Sequence, residues 1–159
     1  MAHLGPGVEL REPRETDWPA ILSLANRSVR AVAGAGSQEE WLRNRQRPAP
    51  LRRHFVAVET GGLVGYAAVE SQFDQVENGF RLFVVASPER IAEIGASLYG
   101  RIEALLLELG AAEAWFIEYA SDQPFLSFLA ERGFKEVRSF RLEDGVECVV
   151  LSKRFDGAA

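Results

Sequence analysis

Apolar and polar residues alternate along several short segments of the chain and recur every three or four residues along others. Alternation is typical of strands with one buried face, and the longer spacing is typical of amphipathic helices. This pattern predicts strands at 8–10, 54–60, 63–69, 80–86, 114–120, 134–142 and 146–153. It predicts helices that begin near Thr16 or Asp17, near Ser37, in the turn after residue 86, and at Ser121 or Asp122.

The order of these elements defines the fold class. Gly61-Gly62 and the segment 143–145 are tight-turn sequences, so we expect the strands on either side of each to form a hairpin. The resulting order is β-α-α-β-β-β-α-β-α-β-β, an α/β fold with a mixed, largely antiparallel central sheet flanked by helices. The sequence has no internal repeat or low-complexity linker, and we expect residues 1–159 to form a single domain.

Composition argues against several classes of function. The net charge of −5 disfavours a general nucleic-acid or membrane binder. Cys148 is the only cysteine, and His3 and His54 are the only histidines, so we expect no disulfide, no metal site and no histidine-dependent triad. Neither a signal-peptide pattern nor an apolar run of the roughly 18 residues that span a membrane is found in the sequence. We therefore expect a cytoplasmic protein.

The segment from residue 80 to residue 110 carries the clearest functional signal. An apolar strand leads into a turn that contains Ser87, Pro88 and Arg90, and a long amphipathic helix follows. A helix N-terminus presents unpaired N–H groups and the positive end of a dipole, which suits a pyrophosphate. Glu93 lies at the same place, however, and a carboxylate has the wrong charge for that ligand. The residues alone leave open whether the phosphate ligand is retained.

Three further segments flank this one in a recognisable order. They are REPRETDWPAILSLAN near the start, HFVAVETGGLVGYAAVE in the middle hairpin and FLSFLAERGFKEVRSFRLE near the end. Together with the strand–turn–helix, they make almost the whole chain resemble the GNAT superfamily of acyl-CoA-dependent N-acyltransferases. The resemblance implies a GNAT-like fold and acetyl-CoA as co-substrate. It also implies direct transfer of an acetyl or other acyl group to a primary amine of a small molecule or peptide.

The resemblance also implies a cofactor site. The family binds the CoA pyrophosphate with an Arg/Gln-x-x-Gly-x-Gly/Ala motif, which corresponds to residues 90–95 here. Arg90 and Gly95 match this motif, Glu93 replaces its first glycine, and the stretch before Arg90 is one residue shorter than usual. By analogy the central strand pairs with the pantetheine. The implied cofactor-binding residues are Val84, Val85, Ala86, Arg90, Ile94, Gly95, Ala96 and Asp122.

The catalytic groups match the family less well. Leu129 occupies the position of a tyrosine that often protonates the leaving thiolate, and Asp122 stands where an asparagine is frequent. Tyr119 and Tyr99 are possible substitutes for the missing acid. Glu118 is the strongest candidate base, because a charge inside an apolar strand is unusual. The other candidate bases, each more often a solvated surface group, are Glu70, Asp74 and Glu77.

Two functions remain open at this point. The first is the acyltransferase. The second is a binding or dimerising module of the same fold whose cofactor pocket has eroded through Glu93 and Leu129. Edge strands near the C-terminus would allow a homodimer. A basic stretch could attract an acidic acceptor or the CoA 3′-phosphate, or could be a solvated surface; it consists of Arg43, Arg45, Arg47, Arg52, Arg53 and His54.

Overall fold

The structure is a computed structural model that describes residues 8–27, 52–71, 78–143 and 145–155. The helix expected near Ser37, the carboxylates Asp74 and Glu77, and the arginines at 43–47 lie outside these ranges. The described strands are β1 (Glu9–Arg11), β2 (Arg52–Glu59), β3 (Gly62–Ser71), β4 (Gly79–Ala86), β5 (Glu113–Tyr119), β6 (Lys135–Arg141) and β7 (Glu147–Arg154). The described α-helices are α1 (Trp18–Arg27), α2 (Ala96–Glu108) and α3 (Gln123–Glu131).

The described strands form one sheet in the order β1-β2-β3-β4-β5-β7-β6. Every neighbouring pair is antiparallel except β4 and β5, which are parallel. The predicted mixed, largely antiparallel α/β fold is therefore confirmed. Gly61 and Gly62, with φ of 102° and 143°, make the turn between β2 and β3 in a backbone region that other residues seldom adopt.

The parallel pairing between β4 and β5 is short. Its register joins only Gly79–Arg81 to Glu113–Trp115. Beyond this point Leu82–Ala86 continues to pair with β3, and Phe116–Tyr119 continues to pair with β7. The sheet is therefore closed at one end of the β4–β5 junction and open at the other, and this opening is called the cleft below.

Helices cover the two faces of the sheet with separate hydrophobic clusters. Strand residues alternate between the faces, as the pleat requires. The larger cluster joins the sheet to α2 and α3 through residues such as Leu82, Leu98 and Phe116. The smaller cluster packs Ile21 and Leu24 of α1 against β2, β3 and β4. No helix within the described ranges combines the length and hydropathy of a membrane-spanning segment.

The helix after β4 does not begin as a regular α-helix. Pro88–Arg90 forms a 3₁₀ turn and Ile91–Gly95 forms a π-helical turn, and only then does α2 begin. The π turn directs Ile91, Ile94 and Gly95 into the interior. Apolar spacing at three and four residues does not distinguish a π turn from an α turn, so the sequence predicted a plain helix here.

Candidate functional site

The cleft brings together residues that the sequence selected on two different strands. Val84, Val85 and Ala86 lie on its β4 side and are buried. Glu118 and Tyr119 lie on its β5 side, also beyond the last β4–β5 pair. Because β4 and β5 do not pair here, an extended ligand could lie between them like an added strand. The cleft is therefore the candidate site.

Glu118 and Tyr119 point to opposite faces of the sheet, as consecutive strand residues must. Glu118 pairs with Val149 on the face that carries α2 and α3, and it is only 4% exposed. Tyr119 pairs with Cys148 and is half-buried on the other face. The structure therefore places the two candidate catalytic side chains at the same end of the cleft but on different sides of it.

Arg90, the arginine of the implied pyrophosphate motif, is bound by two carboxylates. Its Nη1 lies 2.5 Å from Oε1 of Glu59, and its Nη2 lies 3.3 Å from Oε1 of Glu93. The hydrogen bond to Glu59 is the main cause that raises the pKa of Arg90 above its ordinary value. Sequence analysis missed Glu59, and no spacing rule would have found it, because it lies 31 residues from Arg90.

The N-terminal turn before α2 is more enclosed than the sequence suggested. A Cβ atom at Gly95 would lie 2.9 Å from Cδ1 of Ile91 and 3.3 Å from Cζ of Phe128. The N–H group of Ala96 donates to the carbonyl of Glu93. The expectation of unpaired amides is therefore wrong for Ala96. Whether Ile94, Gly95 and Ala96 bind a cofactor stays a prediction.

Comparison with known proteins identifies this architecture. No protein-family model and no curated protein matches the sequence. Solved structures match. A ribosomal-protein-S18-alanine N-acetyltransferase from Escherichia coli has a TM-score of 0.72 at 20% identity, covering 92% of this chain and 93% of its own. A ribosomal-protein-alanine N-acetyltransferase from Brucella melitensis has a TM-score of 0.72 at 23% identity, covering 92% and 99%. The PaiA N-acetyltransferase of Thermoplasma acidophilum, in complex with coenzyme A, has a TM-score of 0.66 at 18% identity, covering 93% and 99%.

The chain has the GNAT fold. The matches extend over more than nine-tenths of both chains in each comparison, so the resemblance predicted from the sequence is confirmed for the fold. The identities are too low to transfer the activity or the substrate of any one neighbour. The roles of the individual residues therefore depend on the contacts that this chain makes.

The start of α3 has the cap that the sequence predicted. Oδ1 of Asp122 accepts a hydrogen bond from the N–H of Phe125 at 3.4 Å, which satisfies one N–H group of the first turn. Leu129, where many GNAT proteins carry a tyrosine, is fully buried in the core. Asp122 therefore has a clear structural role, and its predicted contact with a cofactor remains a prediction.

Two other candidates lie away from the cleft. Tyr99 is buried in α2, and its hydroxyl donates to Glu103 at 3.1 Å. Burial is the main cause that raises the pKa of Tyr99 far above its ordinary value, so it is a poor proton donor. Glu70 lies opposite Arg81, the last β4 residue that pairs with β5, and therefore belongs to the closed end of the junction.

An aromatic group that the sequence did not single out covers the α1 face beside β4. Nδ1 of His54 lies 2.9 Å from the hydroxyl of Tyr66, and the ring of Trp18 meets the His54 ring edge-on at 5.0 Å. Tyr66 pairs across the ladder with Val85, which borders the cleft. The sequence predicts His54 in a strand and in a basic stretch, and the structure adds its contacts with this aromatic group.

Proposed function

We propose that this protein transfers an acetyl or other acyl group from acetyl-CoA to a primary amine of a small molecule or peptide. The single observation that carries the proposal is the cleft between β4 and β5 in a chain with the GNAT fold. The names of the neighbours support it, since they are N-acetyltransferases and one of them was solved with coenzyme A.

The residues along the cleft suit one end of the donor better than the other. The main chain of Val84–Ala86 borders a gap in the sheet and suits the amides of a pantetheine arm. At the diphosphate end, Arg90 and the amides of Ile94 and Gly95 are the proposed contacts, since the amide of Ala96 is already bonded to the carbonyl of Glu93. That end also carries the carboxylates of Glu59 and Glu93, which oppose an anionic ligand.

In the proposed reaction the thioester supplies an activated acyl carbon held beside the acceptor amine. The neutral amine nitrogen attacks this carbon, the C–N bond forms, and the C–S bond breaks with release of the thiolate. The extra proton that remains on the nitrogen passes through Tyr119 to the thiolate, which leaves as the thiol. Glu118 is the proposed base that takes the proton from the ammonium form of the acceptor, and Tyr119 is the proposed donor to the thiolate. Correct positioning of the two reactants supplies the rest of the rate enhancement.

One observation favours the second candidate function, a non-catalytic module of the same fold. Arg90 is already engaged by two carboxylates, and the side chains of Ile91 and Phe128 cover Gly95. In that case the exposed edge strand β6, with Val137 52% and Phe140 37% exposed, would be the interaction surface and a homodimer its simplest product. A homodimer, a single domain over the whole chain and a cytoplasmic location are also compatible with the enzyme and belong to the proposal.

Calorimetric titration with acetyl-CoA, followed by a transfer assay with a panel of amines, separates the two functions. The enzyme should bind acetyl-CoA with a Kd of about 100 µM or tighter. Glu118→Gln should keep that affinity and lower kcat by roughly a hundredfold or more. Glu113→Gln, at the closed end of the same strand, is the matched control and should leave both unchanged. Absence of binding at millimolar acetyl-CoA would favour the module instead.

A further inference from the structure

The tip of the β2–β3 hairpin lies against the beginning of α2. Glu59 is the last residue of β2 and pairs with Gly62 across the turn. On the next strand Gly65 faces the π turn and α2 so closely that a Cβ atom there would lie 2.6 Å from Cγ2 of Ile94 and 2.8 Å from Cδ1 of Leu98. The β2–β3 hairpin therefore packs against α2, and this packing brings the Glu59 carboxylate into contact with Arg90.

A ligand can displace Glu59 from its ion pair with Arg90. The side chains of Glu59 and Arg90 are each 30% exposed, and that of Glu93 is 51% exposed. Ion pairs between partly exposed groups are weak because water screens them. Phosphate groups form short, charge-assisted and often bidentate hydrogen bonds with arginine, so a diphosphate can compete with a carboxylate for the same guanidinium.

The charges around Arg90 should affect the diphosphate end of CoA and not its pantetheine end. Arg90 contributes one positive charge, and Glu59 and Glu93 contribute two negative charges around it. A diphosphate placed there meets a locally negative site, whereas the pantetheine arm in the cleft contacts main chain and the apolar residues Val84 and Val85. Glu59 should therefore affect one end of the donor and not the other.

We propose that Glu59 is a specificity-determining residue of the donor site, whose carboxylate occupies Arg90 until the diphosphate of the donor displaces it. This inference rests on the proposed function. Glu59 therefore lowers the affinity for acetyl-CoA and for the product CoA. It does not contact the reacting atoms. When CoA leaves, the carboxylate of Glu59 binds Arg90 again.

Calorimetry on four proteins tests the inference: the wild type, Glu59→Gln, Arg90→Gln and the double variant. Each is titrated with CoA, with acetyl-CoA and with acetyl-pantetheine, which lacks the diphosphate. Glu59→Gln should bind CoA and acetyl-CoA about threefold to fivefold tighter than the wild type, and acetyl-pantetheine equally well. In the Arg90→Gln background most of this gain should disappear, because the partner for which Glu59 competes is absent.

Glu103→Gln is the matched control, since Glu103 also forms a partly exposed ion pair, with Lys153 of β7 at 2.8 Å, but at the closed end of the β4–β5 junction. It should leave all three affinities unchanged. Three results would overturn the role of Glu59. Glu59→Gln could bind acetyl-pantetheine as much more tightly as it binds CoA, it could show the same gain in CoA affinity in the Arg90→Gln background, or it could show no gain in CoA affinity at all. If acetyl-pantetheine binds normally and only the CoA gain is missing, the proposed function stands and this inference falls. If none of the four proteins binds any of the three ligands at millimolar concentration, the proposed function falls, and the inference falls with it.

Discussion

Gly65 is the position where one added methyl group should disturb the site most directly. It lies on β3 opposite Ala86, the last residue of β4. A Cβ atom there would come within 2.6 Å of Cγ2 of Ile94 and 2.8 Å of Cδ1 of Leu98. Both neighbours are fully buried, so neither methyl group can move into solvent. Gly65→Ala must therefore push α2 and β3 apart.

The cost can be worked from these contacts. Overpacking a tight core costs about 1–3 kcal/mol. Replacing glycine inside a strand returns about 0.5–1 kcal/mol, because the unfolded chain loses freedom. Two contacts shorter than 3.0 Å place this substitution in the upper half of the overpacking range, so we expect Gly65→Ala to lower the free energy of unfolding by about 1–2.5 kcal/mol. For a chain of this size that corresponds to a melting temperature lower by roughly 2–10 °C.

Urea unfolding followed by circular dichroism measures this difference, and α2 offers a matched control. Gly100 is exposed on α2, and a Cβ atom there would have no described atom within 4 Å. Gly100→Ala should therefore raise the free energy of unfolding by about 0.5–1 kcal/mol through helix propensity. A Gly65→Ala protein as stable as the wild type, with an unchanged denaturant slope, would refute the close packing of β3 on α2.

Two further predictions concern charge. Glu93→Gly should tighten CoA binding about threefold to tenfold, which is less than an unscreened charge would suggest, because the Glu93 side chain is half exposed and bonded to Arg90. Glu89→Gly, in the preceding 3₁₀ turn, is the control. An unchanged affinity of Glu93→Gly in calorimetry would contradict the reasoning. Burial raises the pKa of Glu103, but the hydrogen bond and charge of Lys153 at 2.8 Å outweigh it, so that the pKa falls below the ordinary 4.5. Ionised Glu103 therefore stabilises the fold above pH 4.5, and this contribution is lost as the pH falls through the lowered value. In urea unfolding between about pH 6 and pH 3, the free energy of unfolding of Lys153→Met should therefore decrease less than that of the wild type. The same decrease in both proteins would show that the Glu103–Lys153 pair does not cause the acid dependence.

Local sequence was sufficient for most of the described elements and for their order. The strand predicted at 114–120 is Glu113–Tyr119, and Asp122 caps the helix that follows. Gly110, with φ of 71°, follows the long helix and adopts the left-handed backbone that is typical of a glycine C-terminal cap. These features depend on the alternation of apolar residues and on backbone preferences within a few positions, so they can be read without knowing the rest of the fold.

The details of the candidate site needed the folded chain. Where β4 and β5 stop pairing depends on the competing ladders with β3 and β7. The contact of Glu59 with Arg90 depends on a hairpin seated on a helix, and the cover over Gly95 comes from Ile91 and from Phe128 of a different helix. Alternation and helical spacing describe which face of an element is apolar, but they carry no information about which distant segment packs there. For that reason the fold could be predicted from the amino-acid sequence, but the contact between Glu59 and Arg90 could not.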